Sequence, residues 1–460
     1  MNKKSGLKIK MVKNAVKKIE SQKAIISKAE FARRRRKLMN YMGNNSIAII
    51  PSANEMVRSR DTDYIFRQNS DFRYLSNFPE PESVIVLLPG RELGEYILFC
   101  REKDEKMETW HGRRFGPDGA KKQFGCDDSF PIDDIDDILP GLMEGRDRIY
   151  YEFGNHADFD NNVMGWINIL RSQVKSGAHP PGELIDLSHV LHDMRLFKSK
   201  AELDVMRKVT EASAVAHSQA MKACKPGLNE LDIEAEIKYH FAKGGARTEA
   251  YNSIVAGGEN ACILHYVEND AELKDGELLL IDAGGEIDGY AADITRTFPI
   301  NGKFSKEQRE AYSWVLRANK EAIKEAVKGN AWMAPHDKAV KVLTQGLVKM
   351  GILKGNIEQL VDEEAYKPYY MHKTGHWIGL DVHDVGDYLI QKEPRILEEN
   401  MVLTVEPGLY FAPNTKGLDE KWWGIGIRVE DDVVVTKKGN EVLSKSVTKE
   451  IAGIEKLMAQ

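Results

Sequence analysis

One stretch constrains the fold more than any other: Leu278 to Ile300, reading LLLIDAGGEIDGYAADITRTFPI. An apolar run, Leu278–Ile281, ends at Asp282 and is followed after Ala283 by two glycines. Asp288-Gly289 suits a type I′ turn, which predicts that the runs on either side pair antiparallel. With that turn, Asp293 faces residue 284, and Asp282 lies two places along the same strand on the same face. The diagonal separation of their α-carbons is then roughly 7–8 Å. Two carboxylates converging in this way, with no neighbouring Lys or Arg to pair both, repel each other and are stable together mainly with a cation between them. A polar hairpin with two solvated acids fits the same spacing, so the hairpin alone leaves the chemistry open.

Composition narrows the class. A chain of 460 residues exceeds one core and predicts two or three units. Its 42% hydrophobic and 30% charged content is that of a soluble globular protein, and a net charge of −6 favours neither nucleic acid nor an anionic membrane. No apolar run approaches the roughly 18 residues of a spanning helix. Cys100, Cys126, Cys224 and Cys262 are scattered without a CxxC pair, which fits free thiols and a cytoplasmic setting. Residues 1–28 carry nine lysines and a single acid, Glu20. They lack a secretory apolar core and are expected as a solvated basic extension.

Beyond the extension, residues 29–180 read as an α/β domain with a mixed sheet. It opens with a helix whose Arg33–Arg36 run is expected to face solvent. Strands are expected at 47–50, 83–88, 95–99 and 146–153. Residues 181–193 follow a Gly/Pro-rich stretch and are expected as a linker. Residues 194–460 read as an α+β domain. Ser199-Lys200-Ala201-Glu202 is a capping box, and further helices are expected at about 229–243, 305–328 and 337–350. Strands are expected at 252–256 and 261–266, then in the hairpin, and at 401–406, 409–411 and 424–435.

Three later stretches combine charge with unusual punctuation. MHKTGHWIGLDVHDVGD, Met371–Asp387, holds His372, His376 and His383, three of the 12 histidines in the chain. Its glycines argue against a regular helix and for a loop entering a strand. In Met401–Gly408, Thr404 and Glu406 point to one side of a strand that Pro407 stops. In Gly424–Asp431, Arg428 and Glu430 share a face by alternation. Each alone suits a surface ion-pair stripe. Together, four carboxylates at strand ends and at least one imidazole suggest a compact oxygen-rich site neutralised by two divalent ions, and such ligands suit Mn²⁺, Mg²⁺ or Co²⁺ better than a structural zinc cage.

These residues carry a resemblance. The chain resembles the Xaa-Pro aminopeptidases (aminopeptidase P) of the pita-bread metallopeptidase superfamily. It does so through Ile263-Leu264-His265-Tyr266, IDAGGEIDGYAADITRTFP at Ile281–Pro299, MHKTGHWIGLDVHDVG at Met371–Gly386, LTVEPGLY at Leu403–Tyr410 and GIGIRVEDD at Gly424–Asp432. RQNSDFRYLSNF at Arg67–Phe78 and Thr109–Arg114 resemble the N-terminal domain of the same family. The resemblance implies two domains, an N-terminal α/β domain with a mixed sheet and a C-terminal α+β pita-bread domain. It also implies removal of the first residue from peptides with proline in second place. Asp282, Asp293, His376, Glu406 and Glu430 become metal ligands, with Asp293 and Glu430 bridging two divalent ions, Mn²⁺ before Co²⁺ or Zn²⁺.

On the same resemblance His265, His372 and His383 bind substrate or stabilise the transition state, and Glu406 moves a proton. Arg428 holds the carboxylate array, Tyr410 lines the site and Trp110 binds substrate. A dimer or tetramer is implied as well. The rivals are a prolidase, with the same ligands but dipeptide substrates, and a metal-free pita-bread module that binds peptides or proteins. The intact ligand positions count against the second.

Overall fold

The computed structural model describes residues 26–460, so the basic extension expected at 1–28 lies outside it up to residue 25. Two compact units divide between Leu191 and His192.

In the first unit, helix α1 (Lys28–Met42) starts at Ser27, whose side chain accepts the Glu30 N–H. Strands β1 (Ser46–Pro51), β2 (Val84–Leu87), β3 (Tyr96–Cys100), β4 (Asp128–Pro131), β5 (Arg148–Tyr151) and β6 (Glu183–Asp186) form one sheet in the order β4-β3-β2-β1-β5-β6. The β1/β2 and β2/β3 pairs are antiparallel and the others parallel, so the sheet is mixed. Ile47, Ile49, Val84, Val86, Ile97 and Phe99, alternate residues of their strands, pack against Leu139 and Met143 and against Val163, Trp166 and Ile167 of two helices. Each such burial contributes roughly 1.5–3 kcal/mol.

Two expectations change here. Arg34 and Arg35 are buried, not solvated. They donate to the carbonyls of Tyr74 (3.1 Å) and Leu75 (2.7 Å), which lie in the last turn of the helix Ser70–Ser76. Those carbonyls have no partner within their own helix, and a guanidinium supplies both hydrogen bonds and favourable charge. The rings of Tyr74 and Tyr96 cover the two guanidiniums at 4.3 and 3.9 Å. The stretch 181–193 is not extended linker: β6 pairs in parallel with β5, and the helix Ser188–Leu196 runs across the unit boundary.

The second unit sets down a helix pair and then strands, twice. Helices α2 (Lys200–Ala223) and α3 (Glu230–Gly244) both begin with capping boxes, on Ser199 with Glu202 and on Asn229 with Asp232. Strands β7 (Ile254–Gly257), β8 (Leu278–Asp282), β9 (Gly285–Ile287), β10 (Tyr290–Ala291) and β11 (Thr295–Pro299) follow. Helices α4 (Lys306–Glu325) and α5 (Ala334–Lys349) precede β12 (Val402–Val405), β13 (Gly408–Phe411), β14 (Ile425–Arg428), β15 (Asp431–Thr436) and β16 (Gly439–Val442). The strands form short sheets, β7-β8-β11, β12-β15-β16 and β13-β14 among them.

Residues 261–266, expected as a strand, form the end of a 3-10 turn (Gly258–Cys262) and a loop. The expected strand at 424–435 is broken at Val429-Glu430 into β14 and β15. The histidine segment 371–387 contains no strand, only a bridge from Trp377 to Leu403. No helix of the described residues is long and apolar enough to cross a membrane.

Candidate active site

The hairpin register is the one that Asp288-Gly289 predicts. Both residues have positive φ, 51° and 81°, as a type I′ turn requires. Glu286 pairs with Ala291 in β9/β10 and Asp282 with Thr295 in β8/β11, one continuous register in which residue 284 faces Asp293. The regular ladder lapses between these two pairs. Ala283 N–H still reaches Ile294 O at 3.1 Å, and Ala292 N–H reaches Gly285 O at 3.1 Å. Position 284 must be glycine, since a Cβ there would stand 1.6 Å from the Ala292 carbonyl oxygen.

Polar side chains of α2 brace this gap. His217 Nε2 donates to Ala283 O (2.8 Å), and Ser213 Oγ accepts the Gly285 N–H (3.0 Å). Thr210 donates to Asp432 Oδ2 (3.2 Å), which also accepts the Asp293 N–H (3.2 Å). Burial depresses His217 to about 4, so it is neutral. None of these three α2 residues stands out singly in the sequence. Thr210, Ser213 and His217 do fall at helical spacing, a polar stripe beside the apolar face of α2.

Asp282 and Asp293 thus point the same way, and Tyr251 joins them. Its hydroxyl lies 2.6 Å from Asp282 Oδ1 and 2.5 Å from Asp293 Oδ1. One hydroxyl proton can serve one of those oxygens, so the second close contact calls for another proton or a cation. Tyr251 had no sequence signal. Its own proton is held tightly, by burial first and then by the two aspartates.

Glu430 sits at the break between β14 and β15. Its N–H donates to Thr295 O (3.1 Å), and its Oε2 accepts the Thr295 hydroxyl (2.7 Å). Arg428 donates to Asp282 Oδ2 (2.6 Å), Thr295 Oγ1 (3.1 Å) and the Tyr410 hydroxyl (3.0 Å). Asp282 therefore has the cationic partner that the hairpin by itself did not supply.

The histidine segment is pinned to β12: Thr404 N–H donates to His376 O (2.9 Å) and Glu406 N–H to Thr374 O (2.8 Å). Gly375 lets the chains come this close, because a Cβ would lie 2.1 Å from the Thr404 carbonyl oxygen. His376 Nδ1 is 2.9 Å from the Trp377 carbonyl and must donate to it. This fixes the tautomer of the neutral ring and turns the Nε2 lone pair toward Asp293 Oδ2 (3.3 Å) and Glu406 Oε1 (4.0 Å). Donor atoms of Asp293, His376 and Glu430 all lie within 4.8 Å of one another.

The electrostatics follow from this crowding. Burial lowers the pKa of His376, but Asp293 and Glu406 more than offset it and raise it to about 9. Burial raises Asp293, and the charge of Asp282 adds to that. Burial lifts Glu406 to about 7 despite His376 and Arg428. Glu430 is pushed well up by burial and by Asp293. Asp282 moves the other way: burial is outweighed by Arg428 and Tyr251. A carboxylate set that needs protons to coexist, with an imidazole nitrogen turned into it, fits hard divalent cations.

The site opens on a cavity of about 410 Å³, lined on one side by Ile254, Leu264, Val267 and Val382 and holding His265 and His383. The His383 ring meets the His376 ring edge-on at 4.3 Å. Burial, His376 and His265 lower the pKa of His383. His372 Nδ1 faces the Lys373 carbonyl (2.7 Å) and Nε2 the Tyr410 hydroxyl (2.8 Å). Burial and Arg428 depress His372 to about 3, so hydrogen bonds run in one direction, Arg428 to Tyr410 to His372 to Lys373 O.

All five expected ligands, with His265, His372, His383 and Arg428, line this one cavity. Tyr410 does not line it. It is 2% exposed and stands behind the wall as the link between Arg428 and His372. Trp110 does not line it either. It lies in the first unit, 76% exposed.

Comparison with known proteins agrees with this arrangement. Residues 204–437 match metallopeptidase family M24, and residues 31–150 match the aminopeptidase P N-terminal domain. The chain belongs to metallopeptidase family M24. It is 46% identical over 434 residues to the Xaa-Pro aminopeptidase of Escherichia coli (strain K12), covering 94% of this chain and 98% of the relative. The structure of Pseudomonas aeruginosa aminopeptidase PepP superposes with a TM-score of 0.94 at 57% identity, covering 94% and 98%. Zn-substituted E. coli aminopeptidase P in complex with product superposes with a TM-score of 0.92 at 46% identity over the same shares. The M24 member described here therefore has the two-domain aminopeptidase P architecture and is a metallo-aminopeptidase.

Proposed function

We propose that this M24 enzyme removes the N-terminal residue from peptides with proline in second place, using two divalent ions held by Asp282, Asp293, His376, Glu406 and Glu430. The observation that carries this reading is the convergence of four carboxylates and the His376 Nε2 on one buried cavity floor. Asp282, Asp293 and Glu430 would hold one ion, and Asp293, Glu430, His376 and Glu406 would hold the other. When bound, such ions supply Lewis-acid chemistry and lower the pKa of water from 15.7 toward about 7. Mn²⁺ is the expected metal, with Co²⁺ or Zn²⁺ able to replace it.

The protein's own groups do the rest. The apolar wall of Ile254, Leu264 and Val267 suits the pyrrolidine ring, which offers no N–H to grip. Glu406 would take a proton from the attacking water and deliver it to the departing proline nitrogen. His383 and His265 face the cavity, and His383 donates to the developing oxyanion. Both ring nitrogens of His372 are occupied, and its Nδ1 is 3.6 Å from Glu406 Oε2, so it acts from behind Glu406 together with Tyr410 and Arg428. The four cysteines are free, consistent with a cytoplasmic setting, and the enzyme is expected to form a dimer or tetramer.

The test is turnover of an X-Pro-Y series by chelator-treated protein after adding Mn²⁺, Co²⁺ or Zn²⁺. Release of X from the tripeptide, with little from the dipeptide X-Pro or from X-Ala-Y, is expected. Cleavage confined to the dipeptide would establish a prolidase instead, and activity without metal would overturn the proposed site.

A further inference from the structure

The cavity wall beside His265 is built without a strand. Between Gly257 and Ala271 the chain has one 3-10 turn, yet it presents Leu264, His265 and Val267 to the cavity. A segment with no ladder of its own depends on side-chain bonds for its shape.

Glu230, the first residue of α3, supplies them from a fully buried position. Its Oε1 accepts the Gly257 N–H (2.7 Å) and Asn260 Nδ2 (3.1 Å). Its Oε2 accepts the Tyr266 hydroxyl (2.8 Å) and the Ala271 N–H (2.9 Å). The Glu230 N–H returns a bond to Ala271 O at 2.9 Å. These donors stand at both ends of the segment, at Asn260, and at Tyr266 between the cavity-facing His265 and Val267. All four only donate here, so the group must keep acceptor capacity on both oxygens, and that requires a carboxylate. The N-terminus of α3 favours its charge, and charge-assisted bonds are the stronger kind. Asn269 adds a second anchor, accepting the Val255 N–H (2.9 Å) and donating to Ser253 O (2.8 Å).

We propose that Glu230 is a positioning residue for substrate recognition: its carboxylate sets the 257–271 segment so that Leu264, His265 and Val267 form the wall that receives the peptide. This rests on the reading of His265 as a substrate-binding residue. Glu230 touches neither substrate nor the metal ligands, so its effect passes through the loop.

The decisive variant is Glu230→Gln, which keeps the shape but turns an NH₂ toward two donors. With the metal-loaded full chain, kcat/KM for an X-Pro-Y tripeptide falls at least tenfold while metal stoichiometry is unchanged. Amide exchange across 257–271 speeds up at least tenfold, with α4 and α5 unaltered. On a His265→Ala background the same substitution costs at least threefold less in kcat/KM, since one of the three groups being positioned is already gone. Equal losses on both backgrounds, loss of metal, or parental exchange rates in 257–271 would overturn the proposal. Full turnover by His265→Ala alone sinks the reading of His265, a failure visible before Glu230 is changed. Should Glu230→Gln not fold, Tyr266→Phe removes a single bond. About a threefold loss in kcat/KM with faster loop exchange then supports the proposal, and parental values for both reject it.

Discussion

Asp293 touches the Tyr251 hydroxyl and the His376 imidazole, and its main-chain N–H is held by Asp432. Asp293→Ala is expected to abolish both metal retention and peptide cleavage, measured by elemental analysis and tripeptide turnover. An active, metal-free variant would sink the dinuclear reading. His383→Ala should behave differently. It keeps its metal and loses kcat by about 10²–10³-fold, as for an oxyanion donor. Loss of metal from that variant would make His383 a ligand. The metal-free protein should also respond to pH. Asp293, Glu406 and Glu430 have raised values in the fold, as does His376 at about 9. Each contributes stability below its unfolded pKa and loses it as pH rises through the folded one. Asp282 is lowered and has the opposite sense, but it acts below its ordinary value of 3.8. Above about pH 7 the histidines that burial lowers, His217, His336, His372 and His383, are neutral in both states, so thermal unfolding of the metal-free protein should move to lower temperature between about pH 7 and 9. Mn²⁺ should flatten that dependence, and an unchanged or rising midpoint would contradict the charge account.

At the scale of elements, the site is a set of interruptions. The hairpin ladder lapses at Ala283–Gly284, β14 and β15 part at Val429-Glu430, and β12 ends at Val405, just before Glu406 and Pro407. Each break frees a carboxylate to leave its sheet, and each is held by something outside the strand. Gly375→Ala would drive a Cβ into the Thr404 carbonyl, so the His376 segment must shift. The expected cost is about 1–3 kcal/mol in denaturant unfolding, with a larger proportional loss of metal affinity than of stability. His217→Ala, which leaves the Ala283 carbonyl without its donor, should likewise cost about 1–3 kcal/mol. His217→Gln, able to donate to the same oxygen, should restore most of it. Equal effects from Ala and Gln would remove His217 from the bracing of the gap.

In the whole molecule all five expected ligands belong to the second unit, 192–460. Metal that binds the native state at a thousand times its Kd stabilises by about 4.1 kcal/mol. Calorimetry of chelated and Mn²⁺-loaded protein should therefore move the transition of the catalytic unit. A shift confined to the 26–191 region, followed by exchange at its β1–β6 amides, would misplace the metal. The first unit is stabilised by its own sheet and apolar layer, with Arg34 and Arg35 serving the end of a neighbouring helix.

How much of this was legible in the chain depends on the range of the interactions. Local signals held: the capping box on Ser199, the helix starts at Asn229 and Ser305, and above all Asp288-Gly289, whose turn type dictates a register and so the shared face of Asp282 and Asp293. The five ligand positions stood out through their motifs. Partners far away in sequence did not. Tyr251 closing on both aspartates and Tyr410 standing behind the wall follow from packing across distant segments, as does the choice of Asp282 as the carboxylate that Arg428 pairs. So does the burial of Arg34 and Arg35, because a run of arginines looks solvated until helix-end carbonyls are brought to it. The loop at 261–266 reads as a strand by its apolar residues, but the buried Glu230 carboxylate holds the backbone on either side of it, at Gly257 and Ala271, and the Tyr266 hydroxyl within it. Local chemistry specified the turn, and the family resemblance supplied the expected ligands. Tertiary structure decided which charges are compensated, since desolvation and pairing exist only once distant chain segments meet.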